Sequence, residues 1–222
     1  MRPSTPMSPR HRAFARLFVS LLLVAAPHAR AQDPLNDFMI AVANDRAPQV
    51  RAQLQRGMDP NSVDAAGDPA LLIAARAGNA ATVDVLLDAK ANVDARNRFG
   101  DTPLMVAVLQ GRVDVAKKLR ARGAAVNTPG WTPLIYAATG GHEELVRWLL
   151  AEGAAIDAAS PNGTTALMMA AREGRYGAAV LLIERGADVN RRSDAGATAL
   201  GFAQATGDKA LEERLRKAGA RD

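Results

Sequence analysis

The sequence predicts an all-α fold: a solenoid of about six helix-turn-helix units with short hairpin-like turns, preceded by a signal peptide. Three observations predict it. One stretch reads as a complete helix hairpin, its features return about every 33 residues, and the apolar run near the N-terminus differs in character from everything after it.

The clearest hairpin is Gly130 to Asp157, GWTPLIYAATGGHEELVRWLLAEGAAID. Thr132 can accept a backbone N–H at a helix start, Pro133 suits the first helical position, and Gly141 can end the helix and turn the chain. A second helix follows, with Glu143 and Glu144 in the first turn, where the helix dipole favours acid. Val146, Leu149 and Leu150 form its apolar face, and Gly153 can take the left-handed conformation that stops it. One such hairpin cannot bury its apolar face, so it has to be stacked on copies of itself.

The copies are present. The opening glycine recurs as Gly67, Gly100, Gly130, Gly163 and Gly196, and eleven residues after each stands Gly78, Gly111, Gly141, Gly174 or Gly207. Leu71, Leu104, Leu134, Leu167 and Leu200 form a third column, Ala74, Ala107, Ala137, Ala170 and Ala203 a fourth, and Leu86, Leu119, Leu149, Leu182 and Leu215 a fifth. At these residues the chain resembles ankyrin repeats. Gly130 to Asp157 matches almost fully the pattern G-x-T-P-L-H-x-A-A-x-x-G followed by V-x-x-L-L-x-x-G-A-x-x-N, and Thr102-Pro103-Leu104, Gly123-Ala124 and Gly186-Ala187-Asp188-Val189-Asn190 repeat parts of it. The resemblance covers about residues 34–222. It implies the architecture of a repeat scaffold, one that hosts many functions, and it names no partner.

The first 31 residues are of another kind. Arg2, Arg10, Arg12 and Arg16 precede the apolar run Leu17 to Ala26, and Ala29-Arg30-Ala31 gives the small-x-small pattern before Gln32. This is a secretory signal peptide with cleavage expected between Ala31 and Gln32. The rival reading, an uncleaved anchor, needs about 20 apolar residues, and the run has ten. Of the 28 basic and 23 acidic residues, five arginines and no acids belong to this leader, so the mature part has 28 − 5 = 23 basic against 23 acidic residues. That balance gives no warrant for nucleic acid or for an anionic membrane, and no membrane contact is expected after cleavage. With no cysteine there is neither a disulfide nor a lipidated anchor, so export to a bacterial periplasm, or full secretion, is expected for a monomeric product.

The mature part, residues 32–222, then reads as a single domain of six units at about 34–66, 67–99, 100–129, 130–162, 163–195 and 196–222. In the first, Phe38, Ile40, Ala41 and Val42 are expected to pack inward with Val50 and Leu54, while Asn44, Asp45, Arg46, Arg51 and Arg56 face solvent, as suits a cap. The second unit carries Lys90 in the column of Gly123, Gly153, Gly186 and Gly219. The third ends in the exception to the period: five residues separate Asp94 from Gly100, but only Thr128-Pro129 separate Asn127 from Gly130. This deletion shortens one projecting turn and leaves the core in register. In the fifth, Ala166 replaces proline. In the sixth, Glu212 and Arg216 replace the apolar residues of the second helix, leaving Leu211 and Leu215 as a narrow stripe that reads as a closing cap.

No catalytic constellation, metal or cofactor is expected. His142 is the sole histidine of the mature part and occupies the turn between two helices, where this family usually carries one for structure. The glycines follow the repeat, and nowhere form a phosphate loop after a strand. The histidine of the family's T-P-L-H is replaced by Leu72, Met105, Ile135, Met168 and Gly201, which substitutes apolar contact for hydrogen bonding; an oxidant trap is the rival reading of the methionines.

What remains is surface, and the resemblance implies which part of it binds: residues beside the turn glycines and those after the double-alanine column. The turn set is Arg96, Arg98, Phe99, Asp101, Pro129, Trp131, Asn162, Thr164, Arg192 and Asp194. The groove set is Arg76, Gln110, Thr139, Arg172 and Glu173. Phe99 and Trp131 carry most weight, because large aromatics and arginines dominate interface energetics; their alternative is to lie flat against a neighbouring turn. Trp148 and Tyr176 are assigned to packing between units or on the convex side, and Tyr136 fits either role. The function that follows is a non-enzymatic periplasmic protein-interaction module, centred on Arg98, Phe99, Asp101 and Trp131. The alternative is an envelope stress or defence accessory, such as a chaperone, inhibitor or immunity-like protein, without one fixed partner.

Overall fold

The computed structural model describes residues 33–221, and the expected signal peptide lies outside the described residues. Over them the chain forms hairpin pairs of α-helices: α1 (Pro34–Ala43) with α2 (Ala47–Gln55), α3 (Ala70–Ala77) with α4 (Ala80–Asp88), and α5 (Pro103–Leu109) with α6 (Val113–Ala121). There follow α7 (Pro133–Gly140) with α8 (Glu143–Ala151), α9 (Ala166–Arg172) with α10 (Tyr176–Glu184), and α11 (Ala199–Thr206) with α12 (Lys209–Lys217). The first helices of successive pairs pack in one row and the second helices in another.

The repeated residues do the local work assigned to them. The hydroxyls of Thr102, Thr132, Thr165 and Thr198 accept the N–H of Met105, Ile135, Met168 and Gly201 at 3.3, 3.3, 3.4 and 3.0 Å. Each such cap stabilises its helix by about 1 kcal/mol. At α3, where Pro69-Ala70 replaces Thr-Pro, no side chain caps the helix and the Ala70 N–H donates instead to the Ser62 carbonyl at 2.9 Å. Gly141 ends α7 at φ 76°, a left-handed conformation that a Cβ would oppose. Lys90 adopts that conformation with a Cβ, at φ 67°. We predict that Lys90→Gly raises the stability by about 1 kcal/mol, a rise in Tm of about 2–4 °C for a domain of this size. A lower Tm by calorimetry would show that the lysine side chain makes a compensating contact.

The five leucines of the inner row are at most 2 % exposed and those of the outer row are fully buried. Leu72, Met105, Ile135 and Met168 are buried among them, so packing replaces the missing histidines, and Gly201 alone of that column is exposed. One residue departs from expectation. Ile40 is 43 % exposed, while Met39 is buried in its stead. The helix turns about 100° per residue, so Ile40 lies roughly 200° from fully buried Phe38, on the far side of α1.

Two ladders of polar side chains tie unit to unit. Asn79, Arg112, His142 and Arg175, each just before an outer helix, reach back to the carbonyls of Val42, Arg76, Leu109 and Thr139 at 2.9, 3.4, 2.9 and 3.0 Å. A carbonyl can only accept, so His142 donates through Nε2, and its role is structural. In the second ladder the side-chain oxygens of Asn61, Asp94, Asn127, Asp157 and Asn190 accept the backbone N–H of Asn92, Ala125, Ala155, Asp188 and Arg221 at 2.8–3.1 Å. The ladder continues across the shortened turn, which shows that the three missing residues are absorbed before Gly130 and leave the helices in register. Outside, Lys118 pairs with Asp84, Arg120 with Glu152 and Arg214 with Glu184 at 2.5, 2.9 and 2.9 Å. Such exposed pairs contribute at most about 1 kcal/mol each. On α12, Glu212 joins Lys209 and Arg216 above fully buried Leu211 and Leu215, the polar cap expected there. No helix among the described residues is long and apolar enough to cross a membrane.

Candidate partner-binding face

Between helix pairs the chain projects as a finger, closed by a turn three residues before each opening glycine. In the full-length fingers the N–H of Gly67, Gly100, Gly163 and Gly196 donates to the carbonyl of Asp64, Asn97, Ser160 and Ser193 at 2.8–2.9 Å. The side-chain oxygens of those same residues accept the N–H of Asp68, Asp101, Thr164 and Ala197 at 2.9–3.1 Å. Short polar side chains favour turns because they bond their own backbone in this way. The shortened finger closes differently: the Thr128 hydroxyl donates to the Trp131 carbonyl at 2.7 Å.

Arg96, Arg98, Phe99 and Asp101 meet in one finger. Phe99 is 70 % exposed, and the Arg98 guanidinium stacks on its ring at 4.8 Å from the centroid. Arg96 donates to the Gly100 carbonyl at 2.7 Å, and Arg192 repeats that bond to Gly196 at 3.3 Å in the last finger. Asn162 and Asp194 belong to neighbouring fingers joined by a backbone bond, Asp194 N–H to Asn162 carbonyl, at 3.1 Å. At the ends of the inner helices Gln110 is exposed, Thr139 bonds the Ile135 carbonyl at 2.8 Å, and Arg172 and Glu173 pair with each other at 3.3 Å. Pro129 and Arg76 are also exposed.

Two placements differ from the sequence reading, and Trp131 takes the packing alternative left open there. Thr164, assigned to the turn surface, is 7 % exposed, because its N–H and carbonyl close the finger on Ser160. Tyr176, assigned to packing, is 44 % exposed at the first position of α10. Trp131 is only half-open: it packs against the core and meets Tyr136 edge-on, centroids 6.1 Å apart. Trp148 packs against the core as expected.

Sequence reasoning missed the network beneath this face. Tyr136 donates its hydroxyl to Asp101. Asp101 also accepts from the Asn97 amide at 3.3 Å, the same amide donates to Asp68 at 3.1 Å, and Asp68 pairs with Arg76 at 2.8 Å. Asn97 and Asp68 are buried, so three units are joined by a chain of polar groups that each satisfy the next. Burial first, then the hydrogen bond to Asp101 and its negative charge, hold the Tyr136 phenol well above its ordinary pKa. The proton is therefore bound more tightly when folded, so stability from this bond is full below about pH 10 and declines as pH rises beyond it. We predict that in a Tyr176→Phe background the tyrosinate absorbance of the folded protein appears at higher pH than that of the unfolded chain. Coincident curves would remove the Asp101 bond.

Among the described residues no group of three His, Cys, Asp or Glu side chains is arranged to hold a metal. The face offers an exposed ring, guanidinium planes and satisfied carboxylates, which is chemistry for recognition.

Comparison with known proteins agrees with this construction. The family profile "Ankyrin repeats (3 copies)" matches residues 38–129 and 123–193. The crystal structure of a human ASB11 ankyrin repeat domain superposes with TM-score 0.76 at 26 % identity, covering 83 % of this chain and 84 % of that one. An ankyrin repeat domain from Acinetobacter baumannii superposes with TM-score 0.71 at 31 % identity, covering 83 % and 98 %. Two curated proteins are similar over short stretches. One is a Transient receptor potential cation channel subfamily A member 1 homolog of Caenorhabditis elegans, 45 % identical over 56 residues, 25 % of this chain and 5 % of that one. The other is Serine/threonine-protein kinase 12 of Arabidopsis thaliana, 37 % identical over 70 residues, 32 % and 15 %. The match spans only a small part of either, so neither activity transfers with it. Matched by the profile over well more than half its length, and built from stacked helix pairs and glycine-closed fingers, the chain belongs to the ankyrin repeat family.

Proposed function

We propose that the chain is a non-enzymatic interaction module of the periplasm or the exterior, holding a protein partner on the finger-tip face around Arg98 and Phe99. Ankyrin repeats generally mediate protein–protein interaction, and their fold is typically a non-catalytic scaffold. The observation that carries the choice of face is Phe99, 70 % exposed beneath the Arg98 guanidinium. A ring in that position gains little from the core, while an aromatic ring and an arginine together are the residue types that anchor interfaces.

Residues 32–222 serve as bait in an extract of the exported compartment, beside Phe99→Ala. A stoichiometric partner retained by the wild type and lost by the variant is expected. Equal recovery by both moves the contact off this face. For export, the full chain is expressed in a bacterium and fractionated; the expected product starts at Gln32 outside the cytoplasm. An uncleaved cytoplasmic product would refute the compartment and leave the scaffold untouched.

A further inference from the structure

We propose that the three residues missing before Gly130 leave a notch beside Phe99, and that this notch receives an apolar side chain of a protein partner that carries a carboxylate next to it in sequence. The ring or branched chain lies on Phe99 and the carboxylate on Arg98. This rests on the interaction-module reading and gives it a partner chemistry.

Three observations carry it. The turn before Gly130 is three residues shorter than that before Gly100, although α5 and α7 still stack in register. Stacked helices stand about 8–10 Å apart, so a missing tip opens a space of about that width in the row of fingers. The tips on either side are tied, Asn97 to Asp68 before the gap and Asp194 to Asn162 after it. Among the described residues no hydrogen bond joins the Phe99 tip to the short finger, where Asp101 instead bonds Tyr136 on α7. Gly130 lies beside the next finger, where a Cβ on it would meet Pro161 at 3.5 Å.

The charge of the notch selects the occupant. No carboxylate among the described residues pairs with Arg98, and Arg96 adds a second guanidinium, held on the Gly100 carbonyl. Of the two acids of this finger, Asp101 has its oxygens engaged by Tyr136 and Asn97, and Asp94 accepts the Ala125 N–H of the next unit. A guanidinium held over a ring face by its carbon keeps N–H groups available to a planar carboxylate, which it can grip with two hydrogen bonds. An apolar group alone would leave that edge unused. A nucleic acid would need a broad basic surface, and the mature part has as many acids as bases.

The test measures fluorescence anisotropy of three labelled peptides on the purified mature chain: Glu-Trp-Glu, Lys-Trp-Lys and Glu-Ala-Glu, each flanked by Gly-Ser, with labelled oligothymidylate as a fourth probe. The variants are Phe99→Ala, Arg98→Gln, and a graft replacing Thr128-Pro129 with Ala-Arg-Asn-Arg-Phe, which restores the full finger. Glu-Trp-Glu is expected to bind at least tenfold tighter than either other peptide. Phe99→Ala and the graft should each weaken it tenfold or more, and Arg98→Gln should remove the preference for glutamate. Equal affinity for all three peptides, undiminished binding in Phe99→Ala, or tighter binding of oligothymidylate overturns the proposal. If a partner from the extract is still captured by the graft and by Phe99→Ala, the notch is wrong and the module stands. If neither the wild type nor any variant captures a protein, the module itself is wrong.

Discussion

Leu119→Ala is expected to lower the stability of the solenoid by about 3–5 kcal/mol, the range for a leucine removed from a rigid core. Leu119 is fully buried on α6, and its column runs through the centre of the stack between Leu86 and Leu149. A cavity there weakens unit three and both of its interfaces, because a stacked repeat protein holds together through nearest-neighbour terms. At about 2–4 °C per kcal/mol the Tm should fall by about 6–20 °C. The same change at Leu215, also fully buried but in the last unit, should cost less, since it loosens one interface and lets α12 fray. Both tryptophans lie in unit four, so fluorescence follows the centre while helical circular dichroism follows the whole. For Leu119→Ala the two melting curves should separate. Coincident curves with a loss below about 1 kcal/mol would mean that the surrounding layers collapse into the cavity.

The columns of the fold were legible because each repeats one local solution. A threonine before Pro-Leu caps a helix whatever the neighbouring unit is, and Lys90 in a glycine column could be expected to turn left-handed from its spacing alone. Ile40 was misplaced because a short apolar helix, PLNDFMIAVA, does not show which of its adjacent apolar residues faces its partner. The candidate face was half legible. Phe99 and the missing residues before Gly130 stand in the sequence, and the residue before each opening glycine is exposed in every finger. The polar chain from Arg76 to Tyr136 was not readable, since its bonds join side chains 29 and 35 residues apart and depend on where each finger lands. One signal was available: Asp64, Asn97, Ser160 and Ser193 all stand three residues before an opening glycine, and all are residues that bond their own turn.

Asn97→Ala should therefore be the most damaging change outside the core, at about 2–4 kcal/mol. The Asn97 oxygen accepts the N–H of Phe99 and of Asp101, both at 3.0 Å, and its amide serves two carboxylates. At 7 % exposure little water can replace it, and each buried group left without a partner costs about 1–3 kcal/mol. Part of that is recovered as the finger opens, which is why the sum stays below four full penalties. Asn97→Asp separates the two halves of the role. It keeps an oxygen for the turn N–H groups but sets a third carboxylate between Asp68 and Asp101, where like charges repel. At neutral pH it should match or exceed the loss in Asn97→Ala. Its deficit relative to wild type should shrink as pH falls towards about 4 and carboxylates take up protons, while that of Asn97→Ala, which adds no charge, should shrink less. Urea unfolding at both pH values reads the difference. A deficit in Asn97→Asp that does not change with pH would mean that the amide's bonds to the two carboxylates contribute little, and that Asn97 holds the Phe99 finger through the turn alone.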